Sequence, residues 1–244
     1  MQKFQLELWF QIIGIGSASG LLFKNDALFI ISDNSKALYE YSMTGKKLDA
    51  HLLIENTELP QDNIPKKLKP DFESITAYGE DVCVFGSGST ENRNKMVQFN
   101  TFNKKAVKTF DLADLYLSMQ YFADIKSEDF NIEGAIYTGD VWYFFQRGNG
   151  ANGQNGVFTV TAENLENEFT ILYNSYKLPK IKGVQTSFTD AILVDDTIYF
   201  LATAENSNST YQDGEVLGSL IGCIKTDSMK LKLKQTITNK HKFE

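Results

Sequence analysis

The sequence contains few of the residues that mark disulfide-rich, basic or membrane-spanning proteins. Its 244 residues include two cysteines and four prolines, so a disulfide framework is excluded. No apolar run approaches the roughly 20 residues that a transmembrane helix needs. The 24 basic residues are outnumbered by 31 acidic ones, which gives a formal net charge of −7. We therefore expect no nucleic-acid or membrane partner, because both bind clustered positive charge.

The N-terminal segment does not have the pattern of a secretory signal. Gln5, Glu7 and Gln11 interrupt its apolar residues, and Ser19 already belongs to an internal repeat. The lack of such a signal favours a cytoplasmic location. Separately, we expect a monomeric chain.

Four segments of sixteen residues align without gaps, and each consists of a strand, a tight turn and a second strand. They begin at Ser19, Glu73, Glu133 and Thr189, and read SGLLFKNDALFIISDN, ESITAYGEDVCVFGSG, EGAIYTGDVWYFFQRG and TDAILVDDTIYFLATA. Their turns hold residues that tolerate a positive φ, as two-residue hairpin turns require. These turn pairs are Asn25-Asp26, Gly79-Glu80, Gly139-Asp140 and Asp195-Asp196.

Two more strand-like pieces follow each hairpin. They lie at 37–41 and 46–53, 96–99 and 106–110, 156–160 and 168–173, and 218–224 and 230–238. Four strands per unit at a near-constant period predict an all-β β-propeller with four recognisable blades. One helix is predicted at 112–122. A β-sandwich is the alternative fold, but it does not explain hairpins of equal length.

The two ends of the sequence indicate a fifth blade that is incomplete at the C-terminus. Residues 4–15 are strand-like but have no hairpin of their own. Phe243-Glu244 repeats Phe72-Glu73, and Glu244 follows Thr189 by 55 residues, which matches the repeat period. We therefore expect one domain over residues 1–244, with a last blade that combines the N-terminal strand and a segment beyond Glu244.

The first position of each repeat carries an oxygen-bearing side chain. In a propeller the innermost strands surround the central channel, so these side chains are expected to converge at one mouth. Repulsion between several carboxylates raises their pKa or requires a cation. Oxygen ligands without imidazole or thiolate favour Ca²⁺, and Mg²⁺ less. The predicted ligands are Ser19, Glu73, Glu133, Thr189 and Glu244; the alternative is that the glutamates bind backbone amides.

Several short motifs resemble those of known propeller families. FES at 72–74, IEG at 132–134, FTD at 188–190, the terminal FE and SG at 19–20 resemble the calcium-activated nucleotidase (apyrase) five-bladed propellers. That resemblance implies five oxygen ligands around a channel calcium, with Thr189 in place of a serine. KPDFES, NIEGAIYTGDVWYFFQRGNG, FTDA and DGEVLGS resemble more closely a bacterial propeller family of unknown function that is related to phytase-like propellers.

The loops after the second strands are polar and are expected to surround the same mouth. The two arginines of the chain, Arg93 and Arg147, lie in two of these loops, and Lys67 and Lys69 enter from the same face. Arginine presents a planar fork that suits carboxylate or phosphate. Arg93, Arg147 and Lys69 therefore predict an anion pocket. The alternative is that the arginines pair with nearby acids such as Glu91 or Asp33.

Three acidic residues in the last loop are the candidates for chemistry. Glu205, Asp213 and Glu215 fit general acid–base catalysis, a second metal site or solvated charge. His51 and His241 have no place in the repeat, which disfavours a zinc site or a histidine-based hydrolase.

The sequence leaves three functions open. The first is a calcium-binding propeller whose loop face binds a small anionic molecule or a protein ligand. The second is a calcium-dependent hydrolase of phosphate-containing or similar anionic molecules, with the metal polarising the transferred group. The third is a sugar-binding propeller, which the scarcity of tryptophan disfavours. Whether the protein is an enzyme is left undecided.

Overall fold

The computed structural model describes residue 4 and residues 6–150, 152–207, 214–238 and 241–243. Their secondary structure is dominated by four antiparallel four-stranded sheets, in which the strands of each sheet pair in chain order. The β-propeller prediction is therefore confirmed, with four complete blades.

Each blade contains four consecutive strands, and a separate short hairpin precedes the last blade. Blade 1 contains β1 to β4, at Ala18–Lys24, Ala27–Ser32, Ala37–Ser42 and Lys47–Leu52. Blade 2 contains β5 to β8, at Phe72–Tyr78, Asp81–Gly86, Lys95–Asn100 and Lys105–Asp111. Blade 3 contains β9 to β12, at Ile132–Tyr137, Val141–Gln146, Asn155–Asn164 and Glu168–Tyr176. The short hairpin comprises β13 and β14, at Lys180–Ile181 and Val184–Gln185. Blade 4 contains β15 to β18, at Ser187–Val194, Thr197–Asn206, Glu215–Lys225 and Lys230–Thr238.

The predicted hairpin turns use the left-handed backbone that the sequence implied. Asn25 and Asp26 have φ values of 51° and 58°, and Gly79 and Asp195 have 57° and 55°. Asparagine, aspartate and glycine tolerate this region better than other residues. The turn chemistry therefore fixes the register of each inner hairpin.

The one α-helix of the described residues, α1 at Ala113–Ala123, connects blade 2 to blade 3 and lies one residue later than predicted. Two 3₁₀ turns, Glu91–Arg93 and Ser127–Asp129, lie in loops. Tyr116 of α1 is fully buried, and its hydroxyl donates a 2.9 Å hydrogen bond to the carbonyl oxygen of Gly86. The helix thereby contributes to the core between the two blades. No helix in the described part of the chain is long and apolar enough to span a bilayer.

The apolar core consists of layers between neighbouring blades. The innermost strands β1, β5, β9 and β15 lie side by side in that order. Phe29 and Val84 belong to the layer between blades 1 and 2, Phe85 and Phe144 to the next, and Phe200 to the layer between blades 3 and 4. Both faces of the middle blades are therefore covered.

The prediction of a strand at residues 4–15 is wrong for the described part of that segment. Residue 4 and residues 6–17 contain no strand, because none of them pairs in a sheet. Ile12 and Ile15 instead pack against Ile30 and Tyr39 of blade 1, and Phe4 contacts the ring of Tyr199 in blade 4.

Candidate functional site

A polar cavity lies at the end of the ring where the innermost strands begin. Its volume is about 390 Å³, and residues from all four blades line it. Its charged lining residues are Asp33, Asp71, Glu73, Glu133, Glu205, Lys66, Lys69, Arg93, Arg147 and Lys242. Both signs of charge are therefore present in equal number within one concave site.

The five residues predicted to bind a metal, one from each repeat, fall into three groups. Ser19, Glu73 and Glu133 line the cavity together. Thr189 is fully buried and is not part of the lining. Glu244 lies outside the described residues. The convergence expected from the repeat thus holds for three of the five residues.

Ser19 and Thr189, the two hydroxyl residues at the first position of a repeat, make equivalent hydrogen bonds. Ser19 Oγ donates to the carbonyl oxygen of Phe72 over 2.6 Å, and Thr189 Oγ1 donates to the carbonyl oxygen of Phe243 over 2.6 Å. Phe72 precedes Glu73, and Phe243 precedes Glu244. A hydroxyl that donates one hydrogen bond still has lone pairs with which it can bind a cation.

Lys69 joins two carboxylates on the side of blades 1 and 2. Its ammonium pairs with Asp33 and, over 2.6 Å, with Asp71. Burial acts to lower the pKa of Lys69, but the charge of Asp71 and the hydrogen bonds to both aspartates outweigh it, so the pKa is raised. Lys69 therefore stays charged and neutralises part of this acidic group.

Arg93 extends the same network. Its Nη1 lies 2.7 Å from Asp71 Oδ2, and its Nη2 donates to the carbonyl oxygen of Lys66 over 2.9 Å. Arg93 itself is almost completely buried. The guanidinium of Arg93 thus holds in place both the carboxylate of Asp71 and the loop around Lys66, which borders the cavity.

Arg147 plays the corresponding part on the side of blades 3 and 4. It lies 2.8 Å from Glu133 Oε1 through Nη1 and 2.8 Å from Glu205 Oε2 through Nη2. Asn131 Nδ2 donates to the same Glu133 oxygen over 2.7 Å, and Lys242 lies 3.3 Å from Glu205. Acidic partners were the expected alternative for the arginines, but they are Asp71, Glu133 and Glu205 rather than Glu91 or Asp33.

Among the residues that the structure describes, two buried carboxylate oxygens in the cavity wall find no hydrogen-bond partner: Asp33 Oδ1 and Glu133 Oε2. Carboxylate oxygens of Asp33, Asp71 and Glu73 also lie within 4.8 Å of one another. A buried acceptor without a partner destabilises the folded protein, so such an atom is expected to bind a hydrogen-bond donor or a cation. The oxygen-only donor set fits a hard cation such as Ca²⁺.

The three candidates for catalysis are not brought together. Glu205 lines the cavity, and its side chain is almost completely buried between Arg147 and Lys242. Glu215 begins β17, is exposed and does not line the cavity. Asp213 lies outside the described residues. The sequence also favoured Lys67 beside Lys69, whereas Lys66 is the second lysine of this loop that lines the cavity.

Two residues of the site were missed in the sequence although a simple signal marks them. Asp71 and Asn131 occupy the same place in their repeats, two residues before Glu73 and Glu133. Both line the cavity, and each bonds an arginine or a glutamate of the site. Extending the repeat alignment two residues towards the N-terminus of each hairpin reveals this second shared polar position.

Comparisons with known proteins identify a family but no function. A family of unknown function (DUF6929) matches residues 14–244. No curated protein matches the sequence.

Three solved structures illustrate the structural likeness. The structure of U3-55K has a TM-score of 0.44 at 11% identity, with 89% of this chain aligned to 51% of that one. Kuenenia stuttgartiensis hydrazine synthase has a TM-score of 0.47 at 10% identity, over 93% and 53% of the two chains. The Myceliophteria thermophila Cps50 (Swd1) beta-propeller domain has a TM-score of 0.41 at 10% identity, over 93% and 57%. The chain thus spans about half the length of the first two.

Proposed function

The chain belongs to this family of unknown function, and we propose that it binds Ca²⁺ together with a small anionic molecule in the cavity at the mouth of its propeller. The observation that carries the proposal is a pair of buried carboxylate oxygens, Asp33 Oδ1 and Glu133 Oε2, that have no partner within the described part of the chain and lie in a cavity that all four blades line. The resemblance to calcium-activated nucleotidases and phytase-like propellers agrees with such a site.

The metal would be held by oxygen atoms of different blades. Glu73 and Glu133 supply carboxylates, and Ser19 supplies a hydroxyl that keeps free lone pairs after donating to Phe72. The repeat also implies Thr189 and Glu244, but Thr189 does not line the cavity and Glu244 lies outside the described residues. Calcium takes about six to eight oxygen ligands, so water would provide the remainder. The bound ion would add a further link between blades that packing, the hydrogen bond of Ser19 and the ion pairs of Arg147 already join.

The cationic side chains would hold the anionic part of the ligand. Arg93, Arg147 and Lys69 already pair with carboxylates, which fixes their positions before a ligand enters. Preorganised charges lose little entropy when they bind. An anion coordinated to the metal would also lie within reach of Lys66 or Lys242 at the cavity wall.

Thermal unfolding with added Ca²⁺ tests the metal. A ligand at about 100 times its Kd adds roughly 2.7 kcal/mol of stability, which for a chain of this length raises Tm by roughly 5–10 °C. We expect such a rise in the wild type and its loss in Glu133→Gln, which keeps the shape of the side chain but removes its charge. Glu168→Gln, at an exposed position of β12, is the matched control and keeps the full shift. An equal shift in Glu133→Gln and wild type would refute this site.

Calorimetric titration with inorganic phosphate tests the anion. We expect binding in the presence of Ca²⁺ that weakens at least tenfold in Arg147→Lys, because lysine lacks the planar fork. Phosphate binding that is independent of Ca²⁺ would refute the metal-bridged arrangement, and the absence of binding under both conditions would refute the anion.

Hydrolysis is the second candidate, and the position of Glu205 favours it. This carboxylate is the only one of the three catalytic candidates seen in the described cavity wall, and Arg147 orients it. A metal-bound water beside Glu205 would suit attack on a phosphate ester. A panel of nucleotides and phosphate esters, with Glu205→Gln as the variant, tests this. Turnover that survives the substitution unchanged would remove Glu205 as the base.

A further inference from the structure

Helix α1 presents apolar side chains on two sides. On its inner side, Leu115 and Tyr116 are buried in the core between blades 2 and 3. On its outer side, Leu117, Tyr121 and Phe122 are 50%, 81% and 58% exposed. A surface helix ordinarily carries polar residues on the side that faces water, whereas a helix that is apolar all round is covered on all sides. Exposed apolar side chains that lie together mark an interaction surface.

A groove adjoins the outer side of this helix. Its volume is about 850 Å³. Leu117 and Gln120 of α1 line it, together with residues 88–91 of the loop after β6 and Glu128 of the second 3₁₀ turn. None of the described residues that line this groove also lines the central cavity. The groove is therefore a second concave surface, separate from the site at the mouth of the ring.

The described lining of the groove is acidic. Its charged side chains are Glu91, Asp111 and Glu128, with no lysine or arginine among them. The chain around the helix has the same character, because residues 111–129 contain five acidic residues and one lysine. The amide oxygen Asn94 Oδ1, also in the lining, is buried and finds no hydrogen-bond partner within the part of the chain that the structure describes. The groove thus offers acceptors and negative charge to whatever occupies it.

This charge decides which class of partner fits. Nucleic acid and anionic lipid are repelled by an acidic surface. A symmetric dimer would place the groove against its own copy, because such an interface uses the same patch on both subunits. Like charges would then face one another, which opposes association. A polypeptide that carries positive charge beside an apolar side chain matches both the groove and the helix.

We propose that the outer side of α1 and the adjoining groove form the docking surface for a basic segment of another protein, one that presents an apolar side chain flanked by lysine or arginine. The apolar side chain packs on Leu117 and Tyr121, and the cations lie against Glu91 and Glu128. Aromatic residues at the centre and charges at the rim are the ordinary composition of a protein interface. Docking at this surface does not require Ca²⁺, so it is independent of the function proposed for the central cavity.

Fluorescence anisotropy with a labelled amphipathic peptide of leucine and lysine tests this surface. We expect saturable binding to the whole chain without added Ca²⁺, and at least tenfold weaker binding to Tyr121→Ser. Because Tyr121 is mostly exposed, this substitution should leave Tm unchanged. A peptide with serine in place of every leucine, and another with glutamate in place of every lysine, should each bind at least tenfold more weakly.

Two charge-reversed chains separate the groove from a general attraction to an acidic protein. Glu91→Lys combined with Glu128→Lys should weaken peptide binding at least tenfold. Glu80→Lys combined with Asp227→Lys changes the net charge equally, at exposed turn positions outside the groove lining. This control pair should keep the affinity of the wild type within about twofold, since charges beyond a Debye length are screened.

Three outcomes would overturn the proposal. The first is equal affinity of the leucine–lysine peptide for the wild type and Tyr121→Ser. The second is an equal loss of affinity in the two charge-reversed chains, which would make binding a general effect of negative charge. The third is a dimer of the wild type in light scattering that Tyr121→Ser dissociates, which would make a second copy of the chain the occupant of the surface.

Discussion

Arg147 bridges two buried carboxylates, with its guanidinium 2.8 Å from Glu133 and 2.8 Å from Glu205. The three side chains come from blades 3 and 4 and are all nearly inaccessible to solvent. The arginine therefore connects two blades and orients the glutamate that supplies the unpartnered oxygen of the cavity.

Arg147→Met is expected to lower the free energy of unfolding by about 3–5 kcal/mol, because it leaves buried carboxylates without their cation. Urea denaturation measures the loss. Glu133→Gln in the same chain should restore part of it, since one uncompensated charge is then removed. Lys225→Met, which breaks an exposed ion pair with Asp196, is the control and should cause no measurable change. A small effect of Arg147→Met would show that water reaches these carboxylates.

Thr189→Val should cost about 1–3 kcal/mol of stability, because the carbonyl of Phe243 loses its donor at a partly buried position. Ser19→Ala, which removes the equivalent bond to Phe72, should have a similar cost. Thr109→Val on the exposed face of β8 serves as the control. If Thr189→Val behaves like Thr109→Val, the bond to Phe243 does not hold the C-terminal segment in place.

Gly148→Ala is expected to cause a large loss of affinity for Ca²⁺ or phosphate and a smaller loss in the free energy of unfolding. A β-carbon at Gly148 would lie 2.5 Å from the backbone nitrogen of Asn155, so the loop that carries Arg147 must shift. We expect at least a tenfold loss of Ca²⁺ or phosphate affinity by calorimetry. Gly16→Ala, where a β-carbon meets nothing within 4 Å, is the control. Equal affinities in the two variants would contradict a rigid loop.

Stability should fall as the pH rises above about 9. Burial, aided by the charge of Asp81, raises the pKa of Cys83 from 9.0 to about 12. Between these values the unfolded chain loses the thiol proton while the folded chain keeps it, so ionisation favours unfolding. Denaturation midpoints measured from pH 7 to 11 check the slope, and Cys83→Ala should reduce it. A slope that is the same in both proteins would assign the effect to other groups, such as Tyr116, whose pKa burial also raises.

The hairpin repeat was predictable because local chemistry controls it. Turn residues that accept a positive φ, flanked by apolar strands, gave the register of all four inner hairpins. The convergence of Ser19, Glu73 and Glu133 followed from their equal position in each repeat. The strand prediction for the N-terminal segment was wrong because strand formation is not decided locally. Its alternating residues suit a strand, but a strand forms only where the edge of another strand is available for pairing.

The amino-acid sequence by itself determined the number of complete blades, their inner turns and three of the repeat residues at the mouth of the ring, since period and turn chemistry are local properties of the chain. The tertiary structure decided which charges neutralise one another. Asp71, Lys69 and Arg93 meet through loops of unequal length, and Arg147 selects Glu133 and Glu205 from two blades. Such pairings depend on the distances between loops in space, which no spacing along the chain encodes.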